Sequence, residues 1–506
     1  MNFVLGLSAH LLRRVLSPLA LLALCVLAPA NLTSAQVVLP TPTSSPSPSP
    51  STSQLSAAVS LDPWLTTSTL WETTSNYFPA GPAFGFRWVS DAHDAARASS
   101  RWLRLGDLQV AEVIARFSTD TEQSYRERPI GATETAADPD ADIEDRLSEI
   151  QISIYNRGDS GDLTKKDFDA LVERSKKTVT SLTAAKPLER GTDYGSAVQS
   201  RGLVWVTPSS RFLLEWSDTP ANSIIRSYRA EFIRLRITPQ SGQPQTFLEQ
   251  HRAQSTLAAG AAQPKTVRAA ELPRRLVRDA DGGERLPNIP MVDQGRKGYC
   301  VTAATERILR YYGVTVDQNE LAQVADADAA RGTNPDVMFN ALKRLASRFR
   351  IQVLTKYQTT YADCVREIND YNQVVRQASK NTETTLIKPP PVGITCGIVR
   401  QRMNGELLLQ AKTKLNPAYM TTFERNVKAS IERGLPLLWS VQLGLLPEEK
   451  LNPQAAGGHM RLIVGFNPKT HEIYYSDTWG LGHEFKKMPL ANAWTITDGL
   501  YILEPS

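Results

Sequence analysis

Three stretches of the chain alternate apolar and polar side chains one for one, the period of a strand with one buried face: residues 149–155 (EIQISIY), 202–216 (GLVWVTPSSRFLLEW) and 230–237 (AEFIRLRI). The second is broken by Pro208, Ser209 and Ser210 and reads as a hairpin. Between the first two, Phe168, Leu171, Val172 and Val179 recur at helical spacing. They predict a helix over about 165–183 with Thr164 as its N-cap. Further on, residues 301–312 (VTAATERILRYY) place Val301, Ala304, Ile308 and Tyr312 on one helical face, with Gly313 as the stop. Near the end, residues 460–467 (MRLIVGFN) form a strand that turns at 468–471 and returns as 472–479 (EIYYSDTW). The chain is therefore expected to be α+β in both halves.

A length of 506 residues exceeds what one compact core organises, and composition marks the divisions. Residues 36–59 are dominated by Pro, Ser and Thr and read as an extended tether. Residues 60–240 form an α+β module of unassigned role. Residues 241–285, rich in Gln, Ala, Pro and Arg without a sustained period, read as a linker with cleavable basic sites at Arg274, Arg275 and Arg278. Residues 286–506 make the second folded unit. Lys plus Arg exceeds Asp plus Glu by 57 − 52 = 5, too small and scattered an excess for a nucleic-acid partner or a polybasic membrane anchor.

The first 35 residues read as a secretory signal. Arg13 and Arg14 precede an apolar run over 15–30, and small residues at 33–35 offer a cleavage point before Gln36. The expected location is secreted, or periplasmic and cell-envelope, with no membrane contact in the mature form. The run holds Pro18 and Pro29 and is shorter than the roughly 20 residues that span a bilayer, which leaves an uncleaved anchor as the alternative. Leu24 before Cys25 disfavours lipidation, and the arginine pair raises the twin-arginine export route.

Removing the signal takes away Cys25 and leaves Cys300, Cys364 and Cys396, an odd number. In an oxidising compartment this divides into one bridge, Cys364 to Cys396, and one free thiol, Cys300; two ordinary buried thiols are the other reading. Cys300 opens the predicted helix, where the dipole and unsatisfied backbone N–H groups favour a thiolate. Gln294, six residues earlier in VDQGRKGYC, is placed to join the Cys300 N–H as a second donor to an oxyanion. In the C-terminal hairpin, a turn centred near Lys469 makes His459 and Asp477 diagonal neighbours on one face, roughly 7–8 Å apart at Cβ. Asp477 would then fix the imidazole tautomer and leave the other ring nitrogen for the thiol proton. A slip of one residue would separate them.

Taken in order, Gln-x5-Cys entering a helix, Gly-Thr-Asn-Pro-Asp at 332–336, Gly-His leading a strand and Asp-x-Trp-Gly at 477–480 resemble the papain-like cysteine peptidases related to the bacteriocin-processing, double-glycine-cleaving enzymes. The resemblance covers residues 286–506. It implies Cys300 as nucleophile, His459 as base, Asp477 as orienting acid, Gln294 as oxyanion donor and a peptide or isopeptide bond as substrate. Residues 356–422, which hold Cys364, Pro389, Pro390, Pro391 and Cys396, are longer than the pattern and read as a lid or specificity loop. The fused transporter of the bacteriocin-processing members is absent from this sequence. The same groups would also serve a transglutaminase-type acyl transfer, and a secreted binding protein that keeps an inactive papain-like fold is the reading from another class.

Other motifs carry less. Residues 156–167 (NRGDSGDLTKKD) place Gly161 and Asp167 as a calcium loop does, but hold Gly158 and Ser160 where carboxylates belong. The Arg157-Gly158-Asp159 tripeptide within them reads as a turn. His471 and His483 are expected at the surface. No metal or other cofactor is expected, and no phosphate-binding glycine loop precedes a helix.

Overall fold

The computed structural model describes residues 58–506 except 77, 79–83, 100–101, 119–144, 191–197, 222–226, 241–266, 315, 328–331, 379–385, 392–395 and 451. The signal segment, nearly all of the tether and the first part of the linker lie outside the described residues. What is described is mixed α and β, with three sheets and two main hydrophobic cores.

The first core is built on an eight-stranded sheet. The alternating stretches form its centre: Arg146–Asn156, Arg201–Val206, Ser210–Thr219 and Arg229–Pro239, all in antiparallel pairs. The helix Lys165–Thr183 lies on one face and buries Phe168, Val172 and Val179, while the Thr164 hydroxyl accepts the Asp167 N–H. Phe212, Leu214, Trp216, Ile233, Leu235 and Ile237 point to that side and form the core.

The other face of this sheet is not solvated. Alternation alone assigns its polar positions to water, yet Glu215, Arg234, Glu112 and Gln151 are buried. They meet the second half of the chain in a layer of ion pairs. Arg234 binds Glu215 at 2.8 Å and also pairs with Asp317 and Glu320. Arg236 lies 3.2 Å from Glu215 and 3.7 Å from Glu320. Removing one partner of a buried pair costs about 3–5 kcal/mol, because the other charge is left stranded. The two halves are thus joined by complementary charge, with Val198 and Phe232 adding apolar contact to the second core.

The second core wraps the helix Cys300–Tyr311, which buries Val301, Ala304, Ile308 and Leu309 as its apolar face requires. Beside it runs an antiparallel sheet whose centre is Leu437–Leu443, Gly457–Asn467 and Thr497–Pro505. The last part of the expected linker belongs to this sheet. The hairpin Val277–Arg278 with Glu284–Arg285 pairs onto Gly457–Asn467 through Phe466 and Gly465. Leu272, in the short helix Ala269–Arg275, is fully buried in the core. Composition hides this because Leu272 is the one large apolar side chain in that helix.

Residues 356–422, expected as a lid or loop, are largely helical: Tyr361–Ala378, Cys396–Arg400 and Gly405–Gln410, followed by Pro417–Glu432. Cys364 and Cys396 form a disulfide across 32 positions, with Cα atoms 5.6 Å apart. Beside it the fully buried Arg400 guanidinium grips Glu367 and Asp498, and Lys412 lies 3.5 Å from Glu367. These contacts fasten the segment to the core. A loop of that length adds about 3–4 kcal/mol in the chain-entropy description of disulfides. The double variant Cys364→Ala, Cys396→Ala is therefore expected to unfold at a lower urea concentration, the loss matching that seen on reducing the unaltered protein.

Candidate active site

Cys300 is the first residue of its helix, after the N-cap Tyr299, which supplies no side-chain cap. The first amide groups of the helix are left facing the sulfur end, an arrangement that favours negative charge. Cys300 is the free thiol among the described cysteines and is half-buried. Seven residues on, the fully buried Arg307 donates to Pro290 O (2.8 Å), Asp477 O (2.6 Å) and Ser476 Oγ (2.7 Å). The helix that presents the sulfur is thereby bolted to the end of the strand Glu472–Ser476 and to Asp477 just after it.

The C-terminal hairpin sets His459 and Asp477 on one face by a route that spacing does not reveal. At the turn, Asn467 pairs with Glu472 and Phe466 with Ile473. Continued without interruption, that register would put Asp477 opposite Leu462, on the face away from His459. Instead the ladder skips Val464: Gly465 pairs with Tyr474, and Ile463 with Tyr475. One bulged residue moves every later pairing by one. Asp477 then falls level with Arg461, and His459 is its diagonal neighbour. Gly465 is required there, since a Cβ would lie 2.4 Å from Glu284 O on the neighbouring strand.

The result is a direct contact. His459 Nε2 lies 3.0 Å from Asp477 Oδ1, with both side chains fully buried. Nδ1 is left buried without an aligned hydrogen-bond partner. The Cys300 thiol interacts with this imidazole closely enough to shift both groups. The Trp479 ring stacks on the imidazole at 4.1 Å between centroids and 6° between planes, which restrains its rotation.

Electrostatics shift the thiol and the imidazole in the direction of a thiolate–imidazolium pair. Burial pushes the Cys300 thiol up, but His459 and the backbone N–H groups of Met460 and Val301 outweigh it, so its pKa ends below the ordinary value. Burial pushes His459 down, and its contacts with Asp477 and Cys300 more than reverse this. Asp477 is opposed by burial yet held well below the carboxylate range by Arg461, His459 and Lys486. Arg461 Nε donates to Oδ1 at 2.8 Å and Lys486 Nζ to Oδ2 at 2.7 Å. Arg461 is itself balanced by Glu448 at 2.7 Å. Because its folded-state pKa is depressed, Asp477 stabilises the fold at neutral pH, and that contribution declines as pH falls below the ordinary carboxylate value of 3.8 and is gone once pH has passed the depressed one.

Gln294 comes to the same strand end. Its N–H donates to Thr478 O (2.8 Å), and its Oε1 accepts the Thr478 hydroxyl (2.5 Å). Its Nε2 donates one hydrogen to Lys297 O at 2.9 Å, and an amide nitrogen carries two. The side chain is buried and its orientation fixed from both ends.

Arg461, Lys486, Glu448 and Arg307 surround the site without having been singled out by spacing, while Trp479 belongs to the Asp-x-Trp-Gly motif. The position of Arg461, two residues after His459 on the same strand face, is the one signal that pointed to it. His483, expected at the surface, is buried instead, with Nδ1 4.0 Å from Asp477 Oδ2. Burial and the nearby Lys486 lower its pKa to about 4, which keeps it neutral. His471 sits in the hairpin turn with its side chain 70 % exposed, as expected. Among the described residues no group of three or more His, Cys, Asp and Glu gathers as metal ligands, and no helix is long and apolar enough to cross a membrane.

No protein-family model matches the sequence, and no curated protein matches it. Among solved structures the chain is similar to xylellain, a cysteine protease from Xylella fastidiosa. The identity is 14 %, the match covers 44 % of this chain and 84 % of that one, and the TM-score is 0.22.

The charge pattern makes a kinetic expectation. The rate of Cys300 alkylation by iodoacetamide should rise with pH through a midpoint below the ordinary thiol value of 9.0. In His459→Ala the principal group lowering that pKa is gone while burial remains, so the midpoint should move up. A midpoint unchanged by His459→Ala would show that the two groups do not interact.

Proposed function

We propose that this chain is an exported cysteine peptidase of papain-like architecture, in which Cys300, His459 and Asp477 act as a triad and Gln294 as an oxyanion donor. The observation that carries the reading is the imidazole clamped through Nε2 to an ionised, buried carboxylate, with Nδ1 left for a cysteine at a helix start. The order of motifs resembles the bacteriocin-processing peptidases, and the substrate class is a peptide or isopeptide amide.

The steps follow from the groups present. The Cys300 thiolate attacks the carbonyl carbon, and the new oxyanion is met by the second Gln294 Nε2–H and the Cys300 N–H. His459, as imidazolium, gives its proton to the departing amine as the C–N bond breaks, leaving a thioester. Neutral His459 then takes a proton from water, whose oxygen attacks the thioester. Collapse expels the thiolate and restores the ion pair. Asp477 stays ionised throughout and holds the tautomer.

Export is part of the proposal. The Cys364–Cys396 disulfide supports it, since such bridges persist in oxidising compartments, as does the signal-like pattern of residues 1–35. The mature chain would begin at Gln36, which N-terminal sequencing of protein recovered from the periplasm or medium checks. A start at Met1 in that fraction would sink the cleavage claim.

For the chemistry, the mature protein should be labelled at Cys300 by a thiol-directed epoxide probe near neutral pH. It should also cleave members of a peptide library. Cys300→Ala is expected to abolish labelling and lower hydrolysis by at least about 10³-fold. Hydrolysis that survives this substitution would eliminate the triad.

A further inference from the structure

The tripeptide Arg157-Gly158-Asp159 reads from sequence as a turn between strand and helix. In the structure it is a short helical turn, Arg157–Ser160, capped by the Asn156 side chain. All three of its residues are committed to the second half of the chain. Arg157 donates to Ala327 O, and a Cβ on Gly158 would lie 2.5 Å from the hydroxyl of Tyr299, the residue before Cys300. Asp159 Oδ2 accepts from Lys297 Nζ at 2.9 Å.

Lys297 is almost fully buried and also lies 3.9 Å from Glu112 Oε2 on the first sheet. Its carbonyl is the acceptor that fixes Gln294 Nε2. A second grip comes from Arg97, which pairs with Glu112 and donates to Asp293 Oδ2 at 2.8 Å. Asp293 Oδ1 in turn accepts the Gly295 N–H at 2.8 Å and closes the turn on which Gln294 sits. Gly295 has φ +68°, a conformation that an unrestrained loop of other residues would leave. The loop 293–298 is therefore held at both ends by side chains contributed from 130–200 positions away, and each hold is one bond removed from Gln294.

We propose that the N-terminal sheet is a positioning device for the oxyanion donor, with Asp159 and Arg97 as positioning residues that act on Gln294 through Lys297 and Asp293. This rests on the peptidase reading above. It assigns the 60–240 module a part in the reaction: without the two ion pairs, the loop that carries the Lys297 carbonyl is no longer held, and the Gln294 amide keeps only its Thr478 partner. The thiolate is set separately, by His459 and the N–H groups of Met460 and Val301. A loss of loop order should thus slow steps that pass through a tetrahedral oxyanion and spare those that do not. A misplacement of about 1 Å in a catalytic group can cost on the order of 100-fold.

The test uses two reagents on the full chain. Iodoacetamide alkylates the thiolate by displacement without forming an oxyanion, while a 4-nitrophenyl ester acylates it through one. In the double variant Asp159→Asn, Arg97→Met, ester turnover should fall by about tenfold or more. Its alkylation rate and pH midpoint should match the unaltered protein, which also shows that the variant is folded. Arg97→Lys should recover part of the ester activity. Equal losses with both reagents would reduce the module to a structural support and overturn the proposal, as would unchanged ester turnover. If the unaltered protein reacts with neither reagent, the peptidase reading fails first and this inference goes with it.

Discussion

A buried carboxylate, held well below the usual carboxylate range, sits where the Cys300 helix and the His459 strand meet. Asp477 is buried among His459, Arg461 and Lys486, and its backbone carbonyl receives Arg307 from the Cys300 helix. An isolated carboxylate in such a place would cost several kcal/mol and take up a proton. Three cationic or hydrogen-bonding partners reverse that preference, and the same contacts fix the imidazole, the strand end and the helix relative to one another. The site's geometry is thus a by-product of neutralising one charge.

Much of this was legible in the residues because it follows local periodicity. The helix behind Cys300, the hairpin that carries His459 and Asp477, and the helix over 165–183 all have apolar positions at the spacing their geometry demands. The hairpin face came out right for an incomplete reason. A turn centred near Lys469 gives the register that holds at the His459 end, but at the turn itself the pairing is offset, and the Val464 bulge makes up the difference. Nothing in the sequence IVGFN distinguishes a bulge from a regular strand except Gly465, whose close neighbour lies almost two hundred positions earlier.

Long-range charge was not legible. Glu215, Arg234 and Arg236 alternate with apolar residues as solvent-facing strand positions do, and only the partner surface of Asp317 and Glu320 shows that they are interior. The burial of His483 and the roles of Arg461 and Lys486 escaped for the same reason, because a side chain's partner lies in another element. The tail of the expected linker is a related case. Residues 267–285 bury little beyond Leu272, and their order comes from backbone pairing with the His459 strand, which composition cannot register.

That pairing bears on how the polypeptide responds to proteolysis. The basic cluster at Arg274 and Arg275 resembles an activation site whose cutting would free a mature enzyme from a discarded leader piece. Here the segment just after it is zipped into the sheet that bears the imidazole, and the piece before it is riveted to the other side by buried guanidinium–carboxylate contacts. A nick between them would give two bands on a denaturing gel and a single particle in solution, so scission and release are separate events in this architecture.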